Sequence, residues 1–426
     1  MKVKGTVLYN SSIYSILNLL QKGINFLLIP ILTLYLTPQD YGIVAVVAAL
    51  NAFLYKIYLL SLNASVNRFY YEYKEDELKV RKLFGTTVTF VFLTSVVLTI
   101  ILLFGHNFLI DPFLGGVSFF PYMLLGMISV LFNPVFMIYQ NTLQAKQEGI
   151  KYARQNLMFF IVNLIFLLVS VVIFELGAQG VIGALALTNF IFFLYTLTKF
   201  SKEIKFGIDF VILRDSLKYS LPLVPHSISA VASTFIDRIF INNFLSTSLV
   251  GIYSLGNNFG GIIALISSGV NQAFVPWFNE RVKSGTIQTI PKVTKILVMF
   301  YCLTALGISL FGKDVIISLT PSNYHSSWVV IPIISFSCVY HSVYYFFSVP
   351  LFYNIKKKGS SVLPIYTIMA AIINIGLNFI LIMKFKIIGA AIASFLTEFM
   401  LVMALSMVYK KFVKINYPHL IMIWAP

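Results

Sequence analysis

Leu36-Thr-Pro-Gln-Asp-Tyr-Gly42-Ile43 separates two long apolar stretches, and Leu245-Ser-Thr-Ser-Leu-Val-Gly251-Ile252 separates two more. The leucines and the Gly-Ile pairs recur at one offset of 209 residues, 36 to 245 and 42 to 251. Each segment is a short polar turn, which ends one helix and offers hydroxyls to start the next. The repeat therefore predicts a chain built from two similar halves of apolar helices.

Working outward from these turns, apolar runs bounded by charges or turn residues give about twelve helices. They cover 11–36, 41–62, 84–105, 117–140, 156–175 and 178–198, then 217–244, 249–273, 290–312, 326–350, 361–383 and 387–409. A hydrocarbon core about 30 Å thick needs roughly 20 apolar residues per crossing. With 426 residues, 58% of them hydrophobic, 11% charged and a mean hydropathy of +0.87, the chain reads as an all-α polytopic membrane protein. The stretch from Ser11 to Leu36 is too long for a signal-peptide core and reads as a retained helix, whereas Ile421-Met-Ile-Trp-Ala-Pro426 is too short to cross.

Further matches link the halves. Lys146-Gln-Glu-Gly149 and Asn163 correspond to Lys356-Lys-Lys-Gly359 and Asn374, and Thr188-Asn-Phe190 to Thr397-Glu-Phe399. An even number of helices precedes the repeat, so the halves are parallel rather than inverted. The expected organisation is a six-helix lobe over 1–198, a cytoplasmic interfacial linker over 199–216 and a second six-helix lobe over 217–426, forming two lobes around a central cleft.

Charge gives the orientation. With the N-terminus inside, cytoplasmic segments hold 25 of the 31 Lys and Arg residues, including Lys2, Arg68, Lys82, Lys202, Lys356, Lys357, Lys358 and Lys414. External segments hold three, Lys313, Lys384 and Lys386, and three lie within helices, Lys22, Lys56 and Arg238. This bias places both termini in the cytoplasm. The net charge of +16 is spread over loop clusters, with no continuous patch for nucleic acid. Cys302 and Cys338 form neither a disulfide framework nor a metal site, and no GxxxxGK[ST] loop is present, so neither metal nor cofactor is expected. The external loops, around 106–116 and 313–325, are too short to fold a catalytic domain, which argues against an enzyme such as a polysaccharide polymerase or ligase.

The turn at 36–42, Tyr219-Ser-Leu-Pro-Leu-Val-Pro225, Asp237-Arg238, Gly251-Ile-Tyr-Ser254, Ala273-Phe-Val-Pro-Trp-Phe278 and Ile388-Gly-Ala-Ala-Ile-Ala393 occur in this order along the chain. Together they resemble the polysaccharide transporter branch of the multidrug/oligosaccharidyl-lipid/polysaccharide exporter superfamily, over nearly the whole length. The resemblance implies a bacterial inner-membrane flippase for undecaprenyl-diphosphate-linked oligosaccharides. It would serve O-antigen, capsule or exopolysaccharide synthesis. Partners would be the lipid-linked oligosaccharide, membrane lipids, a proton or sodium ion, and the polymerase and glycosyltransferases of the pathway. The alternative within the superfamily is a cation-coupled multidrug exporter.

Two polar stripes suit such a cleft. Ser11, Ser15, Asn18, Lys22 and Asn25 are spaced 4, 3, 4 and 3, one face of a helix. Lys22 falls near mid-span, where a charge needs a watery cavity or an acidic partner. Lys218, Pro222, His226, Ser229, Ser233 and Asp237 form the matching stripe in the second half, with Arg238 beside it. The substrate-cleft candidates are thus Asn18, Lys22, Asn25, His226, Ser229, Ser233, Asp237 and Arg238. Glu398, an intramembrane carboxylate, and Asp237 are the candidates for ion coupling; a bridge from Glu398 to Lys22 or Lys56 is the structural alternative. His341 is expected to make a satisfied polar contact, and Asn374 and Asn378 to hydrogen-bond between helices.

Overall fold

The computed structural model describes residues 2–201, 203–353, 359–411, 415–418 and 422. Lys202, Lys356 to Lys358 and Lys414 of the basic clusters lie outside these residues, as does all of 421–426 except Met422. Among the described residues all regular secondary structure is helical.

The first half contains α1 (Lys2–Tyr35), α2 (Pro38–Leu59), α3 (Glu77–Phe104), α4 (Leu124–Ala145), α5 (Gly149–Leu168) and α6 (Gly177–Phe200). The second contains α7 (Val224–Phe244), α8 (Thr247–Gly260 continued by Ile262–Lys283), α9 (Ile290–Leu319) and α10 (Ile331–Tyr353). The last helical stretch, Gly359–Val408, is 50 residues long and has non-helical angles at Lys386, with φ 54° and ψ −132°. At 1.5 Å per residue an unbroken helix of that length would reach about 75 Å, more than twice the hydrocarbon thickness. It is two crossings, α11 (359–385) and α12 (387–408). Gly389 permits the tight return, because a Cβ there would lie 2.1 Å from the Leu381 carbonyl oxygen.

Among the described residues, nine helices are long and apolar enough to cross a membrane, and the two parts of α8, bent by 43°, make a tenth. Those nine count Leu363–Val408 once, so the Lys386 break adds one more. α7 falls short of the hydropathy of a crossing because His226, Ser229, Ser233, Asp237 and Arg238 dilute its apolar residues. The expected twelve segments are thereby accounted for, with shifted ends. The expected helix 217–244 is a helix over Phe210–Ser220, a 3-10 turn at Leu221–Leu223 and then α7.

Lipid is the solvent for which these helices are built. On α9, Ile296, Met299, Leu303, Leu306 and Leu310 follow a 3, 4, 3, 4 spacing, and three of them are more than 60% exposed. A continuous bare apolar face of about four turns is stable in hydrocarbon and not in water. The protein is a multi-pass membrane protein.

The chain forms two compact units, Met1–Gln21 with Ile43–Val231, and Lys22–Gly42 with Ala232–Pro426. The division runs through α1 and α7 instead of at the 199–216 linker. The first unit packs around Leu62, Leu83, Phe84, Ile138 and Phe200. The second packs around Phe278, Val298, Val343, Phe347, Val402 and Leu405. Within the first unit the 199–216 segment is docked on the start of α3: the Lys205 N–H donates to the Arg81 carbonyl at 3.1 Å, and Lys82 Nζ donates to Asp209 Oδ2 at 3.1 Å. Phe206, Phe210 and Val211 of that segment remain exposed.

Candidate functional site

α1 presents two open faces of opposite chemistry. Ile16, Leu20, Leu27, Ile31 and Leu34 line one side, and Leu27 and Leu34 are each 71% exposed. Asn18, Lys22 and Asn25, also exposed, lie on the other side at 100° per residue. An apolar stripe suits lipid; a polar stripe does not. Lys22 forms no ion pair among the described residues, and the side chains of Ser11 and Ser15 lie outside them. Toward the outer end the polar side of α1 continues as Ile29, Thr33 and Leu36, all buried.

The expected cleft residues divide between the two units. Asn18, His226 and Ser229 belong to the first, and Lys22, Asn25, Ser233, Asp237 and Arg238 to the second. Ser229 Oγ donates to the His226 carbonyl at 2.9 Å, closing a turn of α7. Arg238 donates from Nη1 to the Thr234 carbonyl at 3.1 Å, and its charge is felt by Tyr41 as well as Asp237. Successive residues of a helix point apart, and no direct Asp237–Arg238 bridge forms among the described residues.

Asp237 is instead the hub of a buried cage in the second unit. It is 5% exposed. Tyr253 Oη and Ser394 Oγ each donate to its Oδ2 at 2.8 Å, and Asn378 Nδ2 donates to Oδ1 at 2.9 Å. Asn374 extends the cage by donating to Thr397 Oγ1 at 3.2 Å. Four helices, α7, α8, α11 and α12, thus converge on one carboxylate. Polar hydrogen-bonding partners compensate its burial where no cation pairs with it. Asn374 and Asn378 bridge helices as the sequence leads one to expect, whereas no spacing in the sequence links Tyr253 and Ser394 to Asp237. The signal was present in Tyr253 two residues after the repeat glycine, but a single Tyr or Ser in an apolar helix has no spacing that names its partner.

The cage is absent from the first repeat. The positions corresponding to Asp237, Tyr253, Asn378 and Ser394 hold Leu28, Val44, Leu167 and Leu185. One contact is shared by both halves: Thr188 Oγ1 lies 3.5 Å from Asn163 Oδ1, as Thr397 meets Asn374.

Glu398 pairs with neither Lys22 nor Lys56. Its Oε1 lies 3.1 Å from His341 Nδ1 on α10, and its buried Oε2 has no hydrogen-bond partner. This corrects the lysine alternative, for a reason the sequence conceals: α10 lies alongside α12, 57 residues earlier in the chain. Among the described residues, no group of three or more His, Cys, Asp or Glu could hold a metal ion.

The model of the family described as polysaccharide biosynthesis protein matches residues 7–282, well over half of the chain. The chain belongs to that family. Within this polysaccharide biosynthesis family the match takes in both α1 stripes, Asp237 and the repeat turn at 245–252. A Haemophilus influenzae protein named Lsg locus putative protein 1 is 23% identical over 329 residues, 75% of this chain and 78% of that one. Among solved structures, the lipid II flippase MurJ in an inward closed conformation superposes with a TM-score of 0.72 at 15% identity, over 98% of this chain and 88% of that one. An inward-facing multidrug resistance transporter of the MATE family, in the MOP superfamily, gives 0.70 at 13% identity, over 93% and 95%. At these identities the likeness is one of fold, and it is the two-lobe fold expected from the repeat.

Proposed function

We propose that this polysaccharide biosynthesis family member is a flippase that carries undecaprenyl-diphosphate-linked oligosaccharides from the inner to the outer leaflet of a bacterial inner membrane. It works by alternating access and serves O-antigen, capsule or exopolysaccharide assembly. The observation that carries the proposal is the open polar stripe of α1, Asn18, Lys22 and Asn25, opposite an open apolar stripe. A lysine near mid-membrane without a carboxylate partner is expensive unless water or an anion reaches it. A lipid diphosphate is such an anion, and sugar hydroxyls match the flanking amides. The solved relatives with this fold are a lipid II flippase and a multidrug transporter, which supports transport rather than catalysis.

In this scheme His226, Ser229, Ser233 and Arg238 on α7 provide the second polar wall, and the lipid tail stays in the bilayer. Asp237 and Glu398 are the acidic groups available to couple movement to a proton or sodium gradient. Both termini face the cytoplasm. The polymerase and glycosyltransferases of the same pathway are the functional partners.

The test is Lys22→Ala against Lys22→Arg in a strain that depends on this chain for its polysaccharide. Lys22→Ala lowers export at least tenfold at unchanged membrane abundance, and Lys22→Arg keeps part of it. Normal export by Lys22→Ala removes the stripe from the site. A cation-coupled drug exporter, the second reading, would instead lose drug efflux on Glu398→Gln and be indifferent to Lys22.

A further inference from the structure

His341 and Glu398 occupy a place in the second repeat that the first repeat fills with two amides. Glu398 corresponds to Asn189 through the Thr188-Asn-Phe and Thr397-Glu-Phe match. In the first unit Asn189 Oδ1 accepts from Asn133 Nδ2 on α4 at 2.7 Å, and Asn189 Nδ2 donates to Ser129 Oγ at 2.7 Å. In the second unit Glu398 meets His341 on α10, the helix equivalent to α4. The residues are offset by 208 and 209 positions, so one helix-to-helix contact appears twice in different chemistry. Two amides hold the helices together and cannot titrate. A histidine and a carboxylate in the same place can.

The geometry points to the His341–Glu398 pair as an exchangeable one-proton site of the second unit, separate from the Asp237 cage, and this rests on the transporter reading above. With Glu398 as a carboxylate, Oε1 can only accept, and the hydrogen of the 3.1 Å contact then sits on His341 Nδ1. The free lone pair is then on Nε2, 3.4 Å from Tyr345 Oη, which can donate to it. An arriving proton bonds to Nε2 and turns the Tyr345 hydroxyl away. The pair changes from a net charge of −1 to 0, with no other bond made or broken. The partnerless, buried Oε2 leaves the carboxylate compensated on one side only. The neighbouring titratable groups that sense Glu398 are Cys338, Tyr344 and Tyr345 on α10, while Tyr301 on α9 faces Tyr345. All are neutral in this range, so none supplies a competing charge. The net-neutral form is the one that tolerates closure away from water. A proton taken up from outside and released inside, once per cycle, would drive the substrate outward.

The experiment uses the purified full chain in detergent and inorganic acid as titrant. Proton uptake is recorded between about pH 5 and 9 for wild type, Glu398→Gln, Tyr345→Phe and the double variant His341→Asn/Glu398→Asn, which copies the first repeat. The double variant takes up one proton fewer per chain. Glu398→Gln lowers the midpoint of the His341 step by more than one pH unit, and Tyr345→Phe raises it. Unchanged midpoints in both single variants, or superimposable titrations of wild type and double variant, overturn the proposal. In parallel, polysaccharide export by the double variant loses its sensitivity to an uncoupler at normal abundance; export that stays uncoupler-sensitive also overturns it. A proton step that is present in a chain whose loss leaves polysaccharide export intact would sink the flippase reading and leave the proton site standing.

Discussion

Gly42 and Gly251 close against each other's helices in a reciprocal contact. A Cβ on Gly42 would lie 1.8 Å from the Thr247 carbonyl oxygen, and a Cβ on Gly251 would lie 2.0 Å from that of Pro38. These are the glycines of the two repeat turns, so each half's second helix starts against the start of the other's. Matching caps hold both starts. Thr37 Oγ1 accepts from the Asp40 N–H at 3.1 Å while Asp40 Oδ2 accepts from the Thr37 N–H at 3.1 Å, a capping box, and Ser246 Oγ accepts from the Leu249 N–H at 3.3 Å. Tyr324 Oη, donating to the Leu36 carbonyl at 2.8 Å, seals the turn.

Because the atoms in the way are backbone, alanine at either glycine has nowhere to go. Gly42→Ala and Gly251→Ala each destabilise the protein by about 3 kcal/mol or more, above the usual range for overpacking. Gly307 and Gly376 have nothing within 4 Å of a built Cβ, so Gly307→Ala and Gly376→Ala are neutral or slightly stabilising. Thermal unfolding in detergent compares the four. Equal midpoints for Gly42→Ala and Gly307→Ala would show that the helix starts can separate.

The Asp237 cage predicts an order of effects. Removing the acceptor strands three donors, so Asp237→Ala costs on the order of 3 kcal/mol or more. Tyr253→Phe or Ser394→Ala removes one of two donors to Oδ2 and costs about 1.5–3 kcal/mol, as for a hydrogen bond to a charged group. Membrane abundance and melting temperature should fall in that order. A Tyr253→Phe variant more damaged than Asp237→Ala would mean that the tyrosine ring, not the carboxylate, organises the four helices.

Much of the architecture was legible because a membrane imposes a simple rule on sequence: apolar for a span, polar at the turn. The twelve segments, the parallel repeat and the turns at 36–42 and 245–251 followed from that rule. The division of α1 between units did not, since hydropathy along a helix is blind to which neighbour it packs on. α7 showed its polar stripe, and Pro222 and Pro225 marked the 3-10 turn at Leu221–Leu223 and the helix start that follows it. The His341–Glu398 contact joins residues 57 apart with no shared spacing. Aligning the repeats at Thr188 and Thr397 brings it within reach only once the Asn133–Asn189 bond of the first unit is known.

The last prediction concerns the start of the helix Phe210–Ser220, outside the membrane. The hydrogen bond from Lys82, joined by the Ile212 and Val211 N–H groups, holds the Asp209 carboxyl below its usual range. A carboxyl depressed in the folded state contributes stability above its unfolded value, about pH 3.9, and loses it as pH falls through the folded value. The cap and its ion pair are therefore fully in place at neutral pH and release below about pH 4. Side chains here are partly open to solvent, so the effect is local and screened by salt. Amide exchange at Val211 and Ile212 should stay slow from pH 7 to about 4.5 after correction for intrinsic rates, then accelerate. In Asp209→Asn the same amides exchange faster at neutral pH, because the weaker cap no longer draws Lys82, and the acid transition disappears. An acid transition that survives Asp209→Asn would assign the release to another carboxylate and separate the docking of this segment from the Lys82–Asp209 pair.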